Sequence, residues 1–244
     1  MNGCSDNNGN SALSTDGLIY RYGSFTVWED VCIKLQKEEI AFLLGVNGSG
    51  KSTLLRCLAG WTAPKSGTIL LNGKPFSDTD RSQRAQVYFV PDTPAFYDDL
   101  TAEEHIGFVL QANRKEHLGD NAARLLADFG LERHKRQLPS SYSRGMREKL
   151  ALVLALSLQP DVLLLDEPYG PLDQRASSVL SSELRAAATR GAAVIVSCHH
   201  PVFELSPHRV FHLHDGRLDN EGPSFIEQSW QKSHEADTAD SPDL

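Results

Sequence analysis

Gly45-Val46-Asn47-Gly48-Ser49-Gly50-Lys51-Ser52-Thr53 decides how the chain is read, because it satisfies G-x-x-x-x-G-K-[ST] directly after the apolar run Ile40-Ala41-Phe42-Leu43-Leu44. A buried strand, a tight turn and a helix are expected in that order. Glycines at 45, 48 and 50 let successive backbone N–H groups face one anion, and the helix opening at Lys51 adds its positive N-terminal end. On this reading Gly45, Asn47, Gly48, Ser49, Gly50, Lys51, Ser52 and Thr53 wrap the phosphates of a nucleotide. Lys51 reaches the β- and γ-phosphates, and the Ser52 hydroxyl ligates magnesium. Loops of this kind serve kinases, GTPases, motors and transport ATPases alike, so the flanking sequence has to choose among them.

Ahead of the loop, residues 18–35 have a β pattern, with Tyr20 and Tyr22 just before Gly23 and the alternating segment Val31-Cys32-Ile33-Lys34-Leu35. Behind it, Gly60 should end the first helix. Thr68-Ile69-Leu70-Leu71 with Asn72-Gly73 reads as a hairpin, and Val87-Tyr88-Phe89-Val90 as a buried strand. The pattern then turns helical. Thr101 and Glu104 form a capping box, and Asp120 is expected to open a second helix that Gly130 closes. No strand signal interrupts this interval, so a helical subdomain over about 93–158 is inserted into an α/β body.

Ser143 caps a further helix in which Leu150, Val153, Leu154 and Leu158 recur at helical spacing, and Pro160 stops it. Val162-Leu163-Leu164-Leu165 is wholly apolar and runs into Asp166-Glu167, the pattern of a central parallel strand with its carboxyl end at the active site. Asp173 caps a helix over 174–190, and Ala192-Ala193-Val194-Ile195-Val196-Ser197 is another buried strand, finishing at His199. A hairpin over 210–218 turns at Asp215-Gly216. The fold class is therefore α/β: a P-loop domain over 17–222 with a mostly parallel central sheet, an antiparallel N-terminal β part and the helical insert. With no internal repeat, one nucleotide site per chain is expected.

The 244 residues suit one domain of this size, and the net charge of −8 is unevenly spread. Most of it lies in residues 1–17 and 223–244, which leaves a near-neutral body and argues against nucleic acid held by overall charge. The polar start (1–16) and the acidic end (223–244) are expected to be disordered. Cys4, Cys32, Cys57 and Cys198 form no C-x-x-C pair, which points to free thiols and a cytoplasmic setting. No apolar run is long enough to span a bilayer.

The phosphate loop, the helical insert, Ser143-Arg144-Gly145, Leu163-Leu164-Leu165-Asp166-Glu167-Pro168, Pro171-Leu172-Asp173 and Ser197-Cys198-His199 together resemble the ATP-binding cassette (ABC) family over roughly residues 17–220. The similarity is greatest to subunits that serve ABC-2-type exporters. It implies that ATP and Mg²⁺ are bound, with Tyr22 stacked on adenine (Tyr20 being the alternative), Asp166 and Asp92 at the metal, and Glu167 orienting the attacking water. By the same resemblance His199 contacts the γ-phosphate, while Ser143 and Gly145 touch the ATP of a second subunit in a head-to-tail dimer. Asp173 links the two sites. The second ATP-binding subunit is an identical chain or a paralogue, and separate integral membrane subunits hold the pair on the cytoplasmic face of the membrane.

Two motifs depart from the family pattern. The signature L-S-G-G-Q is here Tyr142-Ser143-Arg144-Gly145-Met146, as related exporter subunits tolerate, and the usual glutamine after the strand at 87–90 is Asp92. Phe96 and Tyr97 follow where membrane subunits of the family dock, and either form that groove or pack within the helical subdomain. A soluble assembly or remodelling ATPase and a nucleotide-gated dimerisation module with little turnover are the other readings. The Asp166-Glu167 pair and His199 favour hydrolysis, a single cassette without a long coiled coil favours transport, and the lack of N-K-x-D argues against GTP.

Overall fold

The computed structural model describes residues 11–77, 79–199, 202 and 204–226. Its first strand, β1 (Ser11–Tyr22), pairs antiparallel with β2 (Phe25–Val31) and with β3 (Lys34–Gln36). The expected disorder over 1–16 therefore does not hold from Ser11 onward. Ala12 and Leu13 are buried, and the buried Thr15 hydroxyl donates to Val31 O (3.1 Å) and accepts from Ile33 N (2.8 Å). Two apolar residues and one satisfied hydroxyl fix the first half of this strand, Ser11 to Asp16, whose other residues are polar. Residues 1–10 lie outside the described chain.

β4 (Ile40–Leu44) follows, buried at every position, and then the phosphate loop and α1 (Lys51–Leu58). The hairpin of β5 (Ser66–Leu71) and β6 (Lys74–Pro75) turns at Asn72-Gly73, both at positive φ, and extends the antiparallel sheet through β1. A single-turn helix, α2 (Arg81–Arg84), precedes β7 (Val87–Val90). Three helices then run without an intervening strand: α3 (Ala102–Ala112), α4 (Gly119–Asp128) and α5 (Arg144–Ser157). Thr101 and Glu104 close the capping box on α3. Asp120, however, does not open α4. A 3₁₀ turn over Glu116–Leu118 leads straight into that helix, and Asp120 sits inside its first turn as a carboxylate near the positive end.

β8 (Val162–Asp166), α6 (Gln174–Thr189), β9 (Ala193–Ser197) and the hairpin β10 (Arg209–His214) to β11 (Arg217–Glu221) complete the body. The body does not stop at 222. Ile226 is buried and the Phe225 ring lies 4.9 Å from that of His212, so the tail expected to be loose from 223 is packed at its start. Residues 227–244 lie outside the described chain.

The six-stranded sheet has the order β11-β10-β4-β9-β8-β7, parallel throughout except for the β10–β11 hairpin. Burial on both faces explains the unbroken apolar runs that stand in for alternation. Phe42, Leu163, Leu165, Val194 and Val196 face a core shared with α4, α5 and α6. Leu43, Leu164, Ile195 and Phe211 face the opposite core, shared with α1 and with Leu13, Trp28 and Leu35 of the antiparallel sheet. Parallel pairing also brings the carboxyl ends of β4, β7, β8 and β9 to one edge, with Asp166 in register with Ser197 and Val90 with Leu165. That edge is where ligands bind in open α/β sheets.

Candidate functional site

At the end of β4 the chain turns away from the sheet at Gly45, where a Cβ would lie 2.4 Å from Leu213 O on β10 and 2.7 Å from Ser49 Oγ. Only glycine lets the loop pass so close to its neighbour. No side chain caps the start of α1, so its first N–H groups are left for another acceptor. Ser49 Oγ is buried and has no hydrogen-bond partner among the described residues. Lys51 is only 6% exposed, and its Nζ donates to Gly45 O (2.8 Å) and Val46 O (3.3 Å) across the mouth of its own loop. Free donors, an orphaned hydroxyl and a nearly buried cation make a cradle that fits a polyphosphate.

The carboxylates at the end of β8 complete the site. Asp166 is 1% exposed and accepts a hydrogen bond from Ser197 Oγ (2.7 Å), while the same Ser197 oxygen accepts from the Glu167 amide (2.9 Å). One hydroxyl thus sets both acids. Glu167 has φ 52, a left-handed backbone that is costly for a residue with a Cβ and is held here by its neighbours. Its Oε2 is 2.6 Å from His199 Nδ1, and its Oε1 is 3.7 Å from Lys51 Nζ. Glu167, His199, Lys51 and Asp166, far apart in sequence, therefore meet at one edge of the sheet. The sequence marks Ser197 as the end of a buried strand and part of Ser197-Cys198-His199, with no role of its own. A hydroxyl ending an otherwise apolar buried strand was the signal for its role.

The other candidates surround this centre. Tyr22 is 55% exposed, with its hydroxyl 3.5 Å from Thr53 Oγ1 and its ring edge-on to Tyr20, so an adenine could lie against its open face. Ser52 occupies the first turn of α1, and Asn47, Gly48 and Gly50 form the loop ahead of it. Ser143 caps α5 by accepting from Met146 N (3.2 Å), and a Cβ on Gly145 would lie 2.8 Å from Pro171 O. Asp173 caps α6 through Ala176 N (2.8 Å) and is ion-paired to Lys149, whose hydrogen bond holds the Asp173 carboxyl below its usual range. Asp92, placed at the metal by resemblance, instead accepts from Arg144 Nη2 (3.0 Å) in this structure.

One acid escaped the sequence reading. Glu148, a turn beyond Arg144 on α5, is 1% exposed and its Oε1 has no hydrogen-bond partner among the described residues. Burial, with Asp92 and Asp166 nearby, pushes its carboxyl up to about 8, against an opposing pull from Arg144. Between the ordinary 4.5 and about 8 the folded chain keeps a proton there that the unfolded chain releases, so stability at this position falls as pH rises through that window. Glu148→Gln removes this dependence. Relative to wild type, the variant is expected to gain on the order of 3 kcal/mol in unfolding free energy between pH 5 and pH 8. Denaturant titrations at the two pH values check this, and parallel pH profiles would contradict it.

A glycine-rich anion cradle beside a strand that ends in two acids, on a sheet of this order, defines a P-loop nucleotide hydrolase. Comparison with known proteins is narrower. The family described as ABC transporter matches residues 28–170. The ABC-type transporter ATP-binding protein EcsA of Bacillus subtilis (strain 168) is 34% identical over 78% of this chain and 77% of its own length. The SkfA peptide export ATP-binding protein SkfE of the same organism is 34% identical over 84% of this chain and 87% of its own length. The sulfate/thiosulfate import ATP-binding protein CysA of Mycobacterium tuberculosis (strain ATCC 25618 / H37Rv) is also 34% identical, over 83% of this chain but 58% of its own length. Among solved structures, the ATP-binding subunit of an ABC transporter superposes with a TM-score of 0.83 at 29% identity, covering 91% of this chain and 94% of that one. The chain belongs to the ABC transporter family and is an ATP-binding subunit with ATPase activity.

Proposed function

We propose that the chain powers export through separate integral membrane subunits, working as one half of a head-to-tail ATP-binding pair on the cytoplasmic face of the membrane. The observation that carries the hydrolytic part is the approach of Glu167 Oε1 to Lys51 Nζ, 3.7 Å, which sets the water-orienting acid beside the γ-phosphate-binding cation. Support for export comes from the 34% identity to a peptide export ATP-binding protein over most of both chains, together with the Ser143-Arg144-Gly145-Met146 sequence. An import ATP-binding protein is equally identical over a shorter share of its own length, so direction has to be measured.

In this mechanism Lys51 leaves the carbonyls of Gly45 and Val46 for the phosphate oxygens, and Glu167, fixed by His199 and by the Ser197 bond to its amide, accepts a hydrogen bond from the attacking water. Ser52, Asp166 and Asp92 offer the hard oxygen donors that suit magnesium, which when bound supplies positive charge at the β- and γ-phosphates. The partner's site is completed by Ser143 and Gly145 at the start of α5, a helix N-terminus placed to face a terminal phosphate.

A groove of about 1370 Å³ between the sheet and the helical subdomain offers the place to dock. Phe96 lines it together with Trp61 and Tyr88, and Arg56, Arg81, Arg84 and Arg114 are the charged residues that line it. Tyr97 is spent differently, stacked 6.0 Å from His105 and edge-on to Phe108. The double variant Phe96→Ala, Arg84→Glu is expected to bind the co-expressed membrane subunits about thirtyfold more weakly while the isolated chain keeps its ATPase activity. Affinity measured in detergent checks the first part. Export itself is tested by loading vesicles that carry the whole complex and following the direction of ATP-driven cargo flux.

A further inference from the structure

Two of the positions that break the family pattern are bonded to each other. Asp92 follows β7 by two residues and Arg144 opens α5; they are 52 residues apart, and Arg144 Nη2 donates to Asp92 Oδ1 at 3.0 Å. Both side chains are open to solvent, 68% for Arg144 and 46% for Asp92, so the pair can separate at little cost. It stands at a junction of acids. Asp166 lies at the end of the neighbouring strand, and the buried Glu148 feels the charges of Asp92, Arg144 and Asp166 together. Arg144 is the one base among those charges.

From this arrangement we infer that the Asp92–Arg144 pair is a latch joining the chain's own magnesium site to the helix start it presents to its mate, and that Arg144, once released, is a further catalytic residue acting on the mate's ATP. The inference rests on the paired-subunit reading above. Asp92 would be drawn to a magnesium ion held beside Asp166, or to its water, because a divalent cation competes well against an exposed guanidinium for a carboxylate, and Arg144 would then lose its partner. Arg144 sits next to the Ser143 cap at the first position of α5, so its freed charge points from the same helix end that faces the second nucleotide. A fixed fork of donors suits phosphate oxygens. Loading one site thereby equips the other, and two latches open for each pair formed.

The test reads assembly rather than turnover. In a Glu167→Gln background, the ATP concentration at half-maximal dimer formation is measured by analytical ultracentrifugation for four chains: the background alone, with Asp92→Asn, with Arg144→Ala, and with both. Asp92→Asn keeps an oxygen for magnesium but drops the charge that holds Arg144, and it should lower the midpoint by roughly two- to fivefold, the scale of an exposed ion pair. Arg144→Ala should raise the midpoint, and in its presence Asp92→Asn should have no lowering effect. An unchanged or raised midpoint for Asp92→Asn, or an equal drop with and without Arg144, overturns the latch while leaving the paired-subunit reading intact. Absence of any ATP-dependent dimer in the background chain overturns both.

Discussion

Glu167→Gln is expected to bind ATP as wild type does and to lower steady-state hydrolysis by about 10²- to 10⁴-fold, the range for loss of a positioned general base. The amide keeps the size of the side chain and can still face His199, but it has no negative oxygen to draw a proton from water. The left-handed backbone at Glu167 and the Ser197 bond to its amide place this side chain before nucleotide arrives, so little rearrangement could rescue the variant. The accompanying result is accumulation of an ATP-bound dimer that sediments as twice the chain. Near-normal phosphate release by the variant would move the catalytic role elsewhere.

The second large effect is at the cradle. Lys51→Ala should weaken ATP binding by on the order of a hundredfold, as measured by fluorescence titration of a nucleotide analogue, because a nearly buried cation is lost rather than a surface charge. In the resting chain the same change takes the Lys51 donor from Gly45 O and Val46 O and the Lys51 ion pair from Glu167 Oε1. Unchanged affinity would mean that the backbone N–H groups alone hold the phosphates.

Much of this was legible in the sequence because the decisive signals are local. The runs that became β4, β8 and β9 are apolar at consecutive positions, the mark of strands covered on both faces, and Thr101, Ser143 and Asp173 each cap the helix they precede. The misjudged places are those where composition and context diverge. Ser11 to Asp16 reads as polar filler, yet Leu13 and Thr15 are buried by the strands beside them. Asp120 has the chemistry of a cap, but the preceding 3₁₀ turn already supplies the helix start. The dual use of Ser197 and the pairing of Asp92 with Arg144 depend on residues brought together across 31 and 52 positions, which no local pattern encodes.

The floor under Gly45 is a carbonyl of β10, and β4 is flanked by two strands that come from the last third of the chain. A polypeptide still leaving the ribosome therefore carries the whole nucleotide motif long before it carries the pocket. ATP cannot act as an early folding scaffold for this protein. Nucleotide affinity is therefore expected only once the residues through Leu213 are available to fold.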